Sequence, residues 1–184
     1  MSERTRSRTP LLLVLGGARS GKSAYAESRL VQRCGGDVLY VATMLPPQGA
    51  ADPRIAAHRK RRPPQWDTTT VDGRGNIVTA VCERTRRGGL LVDGFELALA
   101  LARPASDAAA RAYATRSASA CRATTADLVV VVGSEVGLGV HPETEAGLVF
   151  RDRVGAANQA LAAIADEVVL VVAGLPLWVK GGPG

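Results

Sequence analysis

Eight consecutive residues, Gly16-Gly17-Ala18-Arg19-Ser20-Gly21-Lys22-Ser23, spell a full G-x-x-x-x-G-K-S pattern. Glycines let the backbone curl so that successive N–H groups point at one phosphate chain. Lys22 brings a cation to the outer phosphates and Ser23 offers a hydroxyl to Mg²⁺. The pattern predicts a loop that grips nucleotide phosphates. Its metal needs a carboxylate, and Asp93, directly after Leu90-Leu91-Val92, is the candidate, with Glu96 in reserve. The plainer reading of Asp93 is a turn residue ahead of Gly94.

A second chemical cluster surrounds His58. Arg54, Arg59, Lys60, Arg61 and Arg62 stand close to it in sequence. Clustered cations disfavour the imidazolium form, so the ring stays neutral and nucleophilic near pH 7, and the same cations attract a triphosphate. The competing reading is a solvated basic helix end with an incidental histidine. His141, ahead of Pro142 in a Gly-rich loop, has no cationic neighbours nearby in sequence and reads as structural. A third segment, Val132-Gly133-Ser134-Glu135-Val136-Gly137-Leu138-Gly139, is a strand end opening into a Gly-rich loop. Ligands of open parallel sheets bind beyond the carboxyl ends of the strands, which puts Glu135 and Glu143 near the chemistry. A plain loop would explain those glycines equally well.

The elements that must position these groups follow from hydrophobic patterning. Apolar runs at 11–15, 38–42, 90–92, 128–132 and 168–172 are continuous rather than alternating, the pattern of strands covered on both faces in a parallel sheet. A helix from Ala24 to about Cys34 follows the loop. Val154, Ala157, Leu161 and Ile164 recur at helical spacing before the last run, so that helix docks on the sheet. The Ala-rich stretch 95–124, broken by Pro104, predicts two helices with a turn between them. Leu177-Trp178-Val179-Lys180 predicts a short final strand. The expected fold is α/β, a mostly parallel sheet with helices on both faces, in one domain over residues 11–180 behind a disordered basic tail at 1–10.

The chain has 184 residues, 46% hydrophobic and 22% charged, enough for one sizeable core. Aromatics make up only 4%, so Ala, Val and Leu must fill it. The formal charge of +6 could suit nucleic acid, but acidic residues are interspersed and no basic motif is interleaved with aromatics; a phosphate-rich small substrate accounts for it. No 18-residue apolar run and no leader segment are visible, so the expectation is a cytoplasmic protein without a membrane span. Cys34, Cys82 and Cys121 are odd in number and far apart, fitting neither a disulfide framework nor a metal site.

The motifs Gly16 to Ser23, Tyr40-Val41-Ala42-Thr43, Arg54-Ile55-Ala56-Ala57-His58-Arg59, Arg62-Pro63 and Trp66 occur in one order. They continue with Ser134-Glu135-Val136-Gly137-Leu138-Gly139-Val140, Pro142-Glu143, Phe150-Arg151-Asp152, Gly155, Asn158-Gln159 and Ala165-Asp166-Glu167-Val168. Together they resemble the bifunctional adenosylcobinamide kinase / adenosylcobinamide-phosphate guanylyltransferase family, from about Leu12 to Lys180, poorly between Gly94 and Asp127. The resemblance implies a RecA-like P-loop fold, a homotrimer, and two reactions. ATP or GTP phosphorylates adenosylcobinamide, and GTP then delivers GMP to adenosylcobinamide phosphate through a guanylylated histidine. It implies His58 as the modified residue, with Lys22 and Glu135 beside it in the catalytic set. It further implies nucleotide contacts at Thr43, Arg59, Lys60, Arg61, Arg62, Thr70 and Asp93, with Mg²⁺ at Ser23 and Asp93. Ser134 stands where the family usually has Asn, Gly94 and Glu96 where Cys and Thr are expected, and Thr70 where a carboxylate is common. Two other readings are a member retaining one of the activities, and a nucleotide-dependent switch or nucleic-acid-associated ATPase, which would bind DNA or RNA with steep salt dependence.

Overall fold

The computed structural model describes residues 8–44, 63–82 and 88–182. Among them seven strands form one sheet in the order β3-β2-β4-β5-β1-β6-β7. The strands are β1 (Leu11–Gly16), β2 (Val38–Ala42), β3 (Asp67–Thr70), β4 (Gly89–Asp93), β5 (Leu128–Ser134), β6 (Glu167–Val172) and β7 (Leu175–Lys180). Every pairing is parallel except β6 with β7, an antiparallel hairpin at one edge. The loop-bearing strand β1 and the Asp93 strand β4 are separated by β5. The expected mostly parallel sheet with helices on both faces is thus present, with one strand between the loop-bearing strand and the Asp93 strand.

Burial explains the unbroken apolar runs. Leu11 and Leu13 of β1 face one hydrophobic cluster with Val129 and Val131, while Leu12 and Val14 face a second with Val130 and Val132. Alternate side chains therefore enter opposite cores, and both sets must be apolar. Helix α1 (Lys22–Cys34) covers the second face through Ala26 and Leu30, with Trp66 beside it. The first face carries α2 (Ile77–Cys82), α3 (Phe95–Ala102), α4 (Asp107–Arg122) and α5 (Glu145–Ile164). Ala110, Ala114 and Ala118 repeat every fourth residue along the buried side of α4, and such short side chains let α4 lie close against α5. Ser106 and Thr144 cap these two helices by accepting from the Ala109 and Gly147 amides. Lys180 on β7 donates to the Ala162, Ala163 and Ala165 carbonyls, seating its charge at the carboxyl end of α5.

The expected strands and helices are present, including the pair flanking Pro104. Two elements lay outside the apolar pattern. Strand β3 is the polar run Asp67-Thr68-Thr69-Thr70, paired to β2 only, and β-branched threonines suit such a half-exposed edge. Helix α2 is six residues long, too short to show a period. The three cysteines are free thiols; burial pushes Cys121 up to about 12, which leaves it inert. No helix among the described residues is long and apolar enough to cross a membrane.

Residues 8–10, placed in the basic tail by the sequence, are held at the amino edge of the sheet. Arg8 donates to the Ile164 carbonyl, Arg122 to the Thr9 carbonyl, and the Pro10 carbonyl accepts from Val129. Asp166 closes this latch, accepting from the Leu11 amide at 2.8 Å and from Arg122 at 2.6 Å. Burial alone would raise the Asp166 carboxyl, but the Leu11 amide, the Arg122 contact and the charges of Arg122 and Arg8 outweigh it and hold it below the ordinary value. A carboxyl lowered in the fold contributes stability above its unfolded value of about 3.9, and that stability fades as pH falls through the folded value. Asp166→Asn is expected to lower the melting temperature by about 2–4 °C at pH 7, allowing for solvent screening at this half-exposed side chain. The difference should shrink as pH falls below about 3.9 and through the lower folded value. Calorimetry of both proteins across that range checks it.

Candidate active site

Strand register brings the chemical groups to one edge. Gly16 pairs with Ser134 and Val171, Ala42 with Asp93 and Thr70, so the carboxyl ends of β1, β2, β3, β4 and β5 open on the same side. The loop leaves β1 at Gly16, where a Cβ would collide with the Ser20 hydroxyl and lie 2.7 Å from the Val171 carbonyl. Arg19 and Gly21 take left-handed backbone, φ 57° and 94°, which turns the chain into α1. Gly21 provides no side-chain cap, so the first amides of α1 face the loop, and with the helix dipole they form an anion site. Lys22 Nζ donates back across the loop to the Gly17 carbonyl at 3.1 Å. The hairpin turn between β6 and β7 braces this loop from behind: the Gly174 amide donates to the Ser20 carbonyl at 2.8 Å.

Asp93 is buried where these elements meet. Ser23 Oγ donates to its Oδ1 at 3.1 Å, and Tyr40 OH donates to its Oδ2 at 2.6 Å. The hydroxyl of Thr43 lies 2.7 Å from both the Asp93 and Gly94 carbonyls, and Gly94, with φ 85°, leaves it that room. The structure thus unites Ser23 and Asp93 as the sequence suggested. Their hydroxyl and carboxylate oxygens are the hard donors that Mg²⁺ takes alongside phosphate. Thr43 is fully buried, and its hydroxyl is spent on fixing the Asp93 turn. Thr70 is exposed at the same edge beside Ala42. Tyr40 and the Ala173-Gly174 turn escaped the sequence reading as site residues. The X-Gly pair between two apolar runs was the available signal for the turn, whereas nothing local marks a strand tyrosine as a carboxylate partner.

Glu135 approaches the loop through its backbone, the amide donating to the Gly16 carbonyl at 3.1 Å. Its carboxylate accepts from the Gly137 amide at 2.7 Å and so orders its own Gly-rich loop. His141 is exposed, with Nδ1 3.1 Å from an Arg151 guanidinium nitrogen. His58, with Arg54, Arg59, Lys60, Arg61 and Arg62, lies outside the described residues.

Two of the unusual residues touch each other. Ser134 donates from its hydroxyl to Glu96 Oε1 at 2.6 Å and from its amide to Oε2 at 3.1 Å, while Asn158 donates to the Ser134 carbonyl. Serine at 134 and glutamate at 96 therefore work as a pair that fixes the end of β5 to the start of α3. Glu96→Thr is expected to cost about 1–2 kcal/mol, the scale of lost hydrogen bonds to a charged group. Adding Ser134→Asn should recover part of that loss, a coupling of about 0.5 kcal/mol or more in urea denaturation.

Residues 12–179 match the family described as Cobinamide kinase / cobinamide phosphate guanyltransferase. The chain is 36% identical over 171 residues to the Bifunctional adenosylcobalamin biosynthesis protein CobP of Pseudomonas aeruginosa, covering 93% of this chain and 98% of that protein. It is 37% identical over 185 residues to the Bifunctional adenosylcobalamin biosynthesis protein CobU of Escherichia coli, covering 92% and 99%. Among solved structures, flagellar accessory protein FlaH from Methanocaldococcus jannaschii aligns with 94% of this chain and 79% of its own, at a TM-score of 0.48 and 12% identity. With a family match over almost its whole length and relatives above one-third identity, the chain belongs to the cobinamide kinase / cobinamide phosphate guanylyltransferase family.

Proposed function

We propose that this chain carries out both reactions of its family: phosphorylation of adenosylcobinamide by ATP or GTP, then transfer of GMP from GTP to adenosylcobinamide phosphate. The observation that carries the reading is the meeting of Ser23, Tyr40 and Asp93 at the uncapped start of α1. In the first reaction the oxygen of the substrate alcohol bonds to the γ-phosphorus, its proton passes to solvent, and the bond to the bridging oxygen breaks. Negative charge gathers on the departing nucleoside diphosphate. Amides of the loop and of the first turn of α1 receive it, together with the Lys22 ammonium once that group leaves the Gly17 carbonyl. Mg²⁺, held by Ser23 and Asp93, supplies further charge neutralisation when bound. Tyr40 fixes the second Asp93 oxygen, so the carboxylate keeps one orientation.

In the second reaction a ring nitrogen of His58 bonds to the α-phosphorus of GTP as pyrophosphate leaves. Arg59, Lys60, Arg61 and Arg62 offset the charge on that leaving group. A phosphate oxygen of adenosylcobinamide phosphate then displaces the ring and yields adenosylcobinamide-GDP. Thr43 serves nucleotide binding by holding the Asp93 turn, Thr70 contacts nucleotide from the edge strand, and Glu135 shapes the loop beside Gly16. The protein works in the cytoplasm, in keeping with three free thiols, and acts on small molecules rather than nucleic acid. A homotrimer is supported by Leu175, Leu177 and Val179, exposed by 72%, 58% and 65% on the edge strand β7, an apolar edge that association would cover.

Incubation with α-labelled GTP should leave acid-labile, base-stable label on the wild-type protein and none on His58→Ala, while kinase turnover of that variant stays within about threefold. Label persisting on His58→Ala would remove His58 from its role. Asp93→Asn should cut kinase turnover about 10²-fold or more, the scale for losing one transition-state electrostatic contact, with nucleotide affinity reduced far less. Steady-state assays with Mg·ATP check that split.

A further inference from the structure

An open cavity of about 620 Å³ lies beside the nucleotide site at the carboxyl edge of the sheet, bounded by Thr43, Arg74, Leu97, Ala100, Leu101 and Arg103. Its floor is the apolar side of α3. Thr43 forms the shared wall, because the same residue fixes the Asp93 turn behind it. Two guanidinium groups stand at the rim, and neither Arg74 nor Arg103 has an ion-pair or side-chain hydrogen-bond partner among the described residues.

Both arginines are held in place by their backbones. Asp72 accepts from the amides of Arg74 and Asn76 at 3.0 and 2.9 Å, and Tyr113 OH donates to the Gly75 carbonyl at 2.5 Å. Gly75, with φ 66°, packs so tightly on the Ala98 carbonyl that a Cβ would collide. Arg103 ends α3 in left-handed backbone, φ 48° and ψ 56°, a helix-end position where glycine carries no strain. An arginine there takes a backbone conformation that side-chain-bearing residues rarely adopt, and it sets a cation at the cavity mouth.

Two cations on fixed backbone over an apolar floor, with no side-chain partner among the described residues, match a ligand with an anionic tip on an apolar body. We infer that this cavity receives the corrinoid-side substrate, with the phosphate of adenosylcobinamide phosphate between Arg74 and Arg103 and its aminopropanol arm along Leu97, Ala100 and Leu101. The inference rests on the proposed function and adds the site of the second substrate. A cavity of this volume takes the arm and an edge of the corrin, leaving most of the macrocycle outside. The arginines bind and orient the phosphate, whose oxygen bonds to the guanylyl phosphorus while the bond to the His58 nitrogen breaks and its electron pair returns to the ring.

Arg74→Gln and Arg103→Gln are each expected to raise the KM for adenosylcobinamide phosphate about tenfold or more, and to raise the KM for unphosphorylated adenosylcobinamide in the kinase assay much less. Arg103→Lys should recover part of the loss by restoring the charge. Ala100→Trp, which fills the floor, should raise the KM for both corrinoids. Melting curves confirm that each variant is folded, and Mg·GTP affinity is measured by calorimetry in parallel. A loss of Mg·GTP affinity as large as the corrinoid effect would assign the arginines to the nucleotide and overturn the inference, as would unchanged KM values in both glutamine variants. Wild-type protein with neither kinase turnover nor label from GTP would instead sink the proposed function. Active wild type with unaffected variants sinks this inference alone.

Discussion

The Asp93 carboxylate is the point at which separate parts of the sheet are tied together. One oxygen accepts from Ser23 on the first turn of α1, the other from Tyr40 on β2, and the backbone just beyond is gripped by Thr43. A buried carboxylate is tolerated only when its oxygens are satisfied, so these contacts keep an ionisable group at the sheet edge without leaving it unpaired. The same contacts set the distance between the phosphate loop and the end of β4. Shifting β2 against β4 by one residue would turn Tyr40 to the opposite face and empty that position, so strand register and site geometry are a single constraint.

The loop itself depends on close approach. Gly16 has no space for a side chain, and Gly21 passes 3.1 Å from the Cα of Gly174, measured from where its own Cβ would be. The β6–β7 hairpin is thus part of the phosphate site although it carries no group that reaches a phosphate. Ala173 and Gly174 both take left-handed backbone, which a two-residue hairpin turn demands, and the turn's amide holds the Ser20 carbonyl. Lys180 at the far end of β7 anchors the hairpin to α5, so rigidity passes from the helix layer to the loop through one strand.

The sequence was most readable where one physical cause dominates. Val and Leu runs marked the buried strands because both faces of the sheet are covered, and Pro104 separated α3 from α4 because proline cannot continue a helix. Ser23 and Asp93 were readable because each follows its strand by a fixed grammar of loop and turn. Strand β3 was hidden by its polar composition, since an edge strand owes its place to backbone pairing with β2 rather than to apolar side chains. Arg8 to Pro10 were hidden because their order comes from Arg122, Ile164 and Val129, far away in sequence. The motif around Asp166 was visible as a resemblance, but its physical meaning, a latch on the first residue of β1, emerges only in three dimensions.

Glu96 and Ser134 are bound to each other at the carboxyl edge of the sheet. Taken singly, each replaces a residue expected at the carboxyl edge and suggests a lost contact. Taken together, they satisfy each other: the serine hydroxyl and amide occupy both carboxylate oxygens, and the charge sits in the first turn of α3, where the helix dipole favours it. Asparagine at 134 could donate to a neighbouring threonine but would meet a glutamate with different reach. In this chain the pair ties the end of β5 to the start of α3 through both carboxylate oxygens. That tie holds the Glu135 amide against the Gly16 carbonyl, which connects the end of β5 to the start of the phosphate loop.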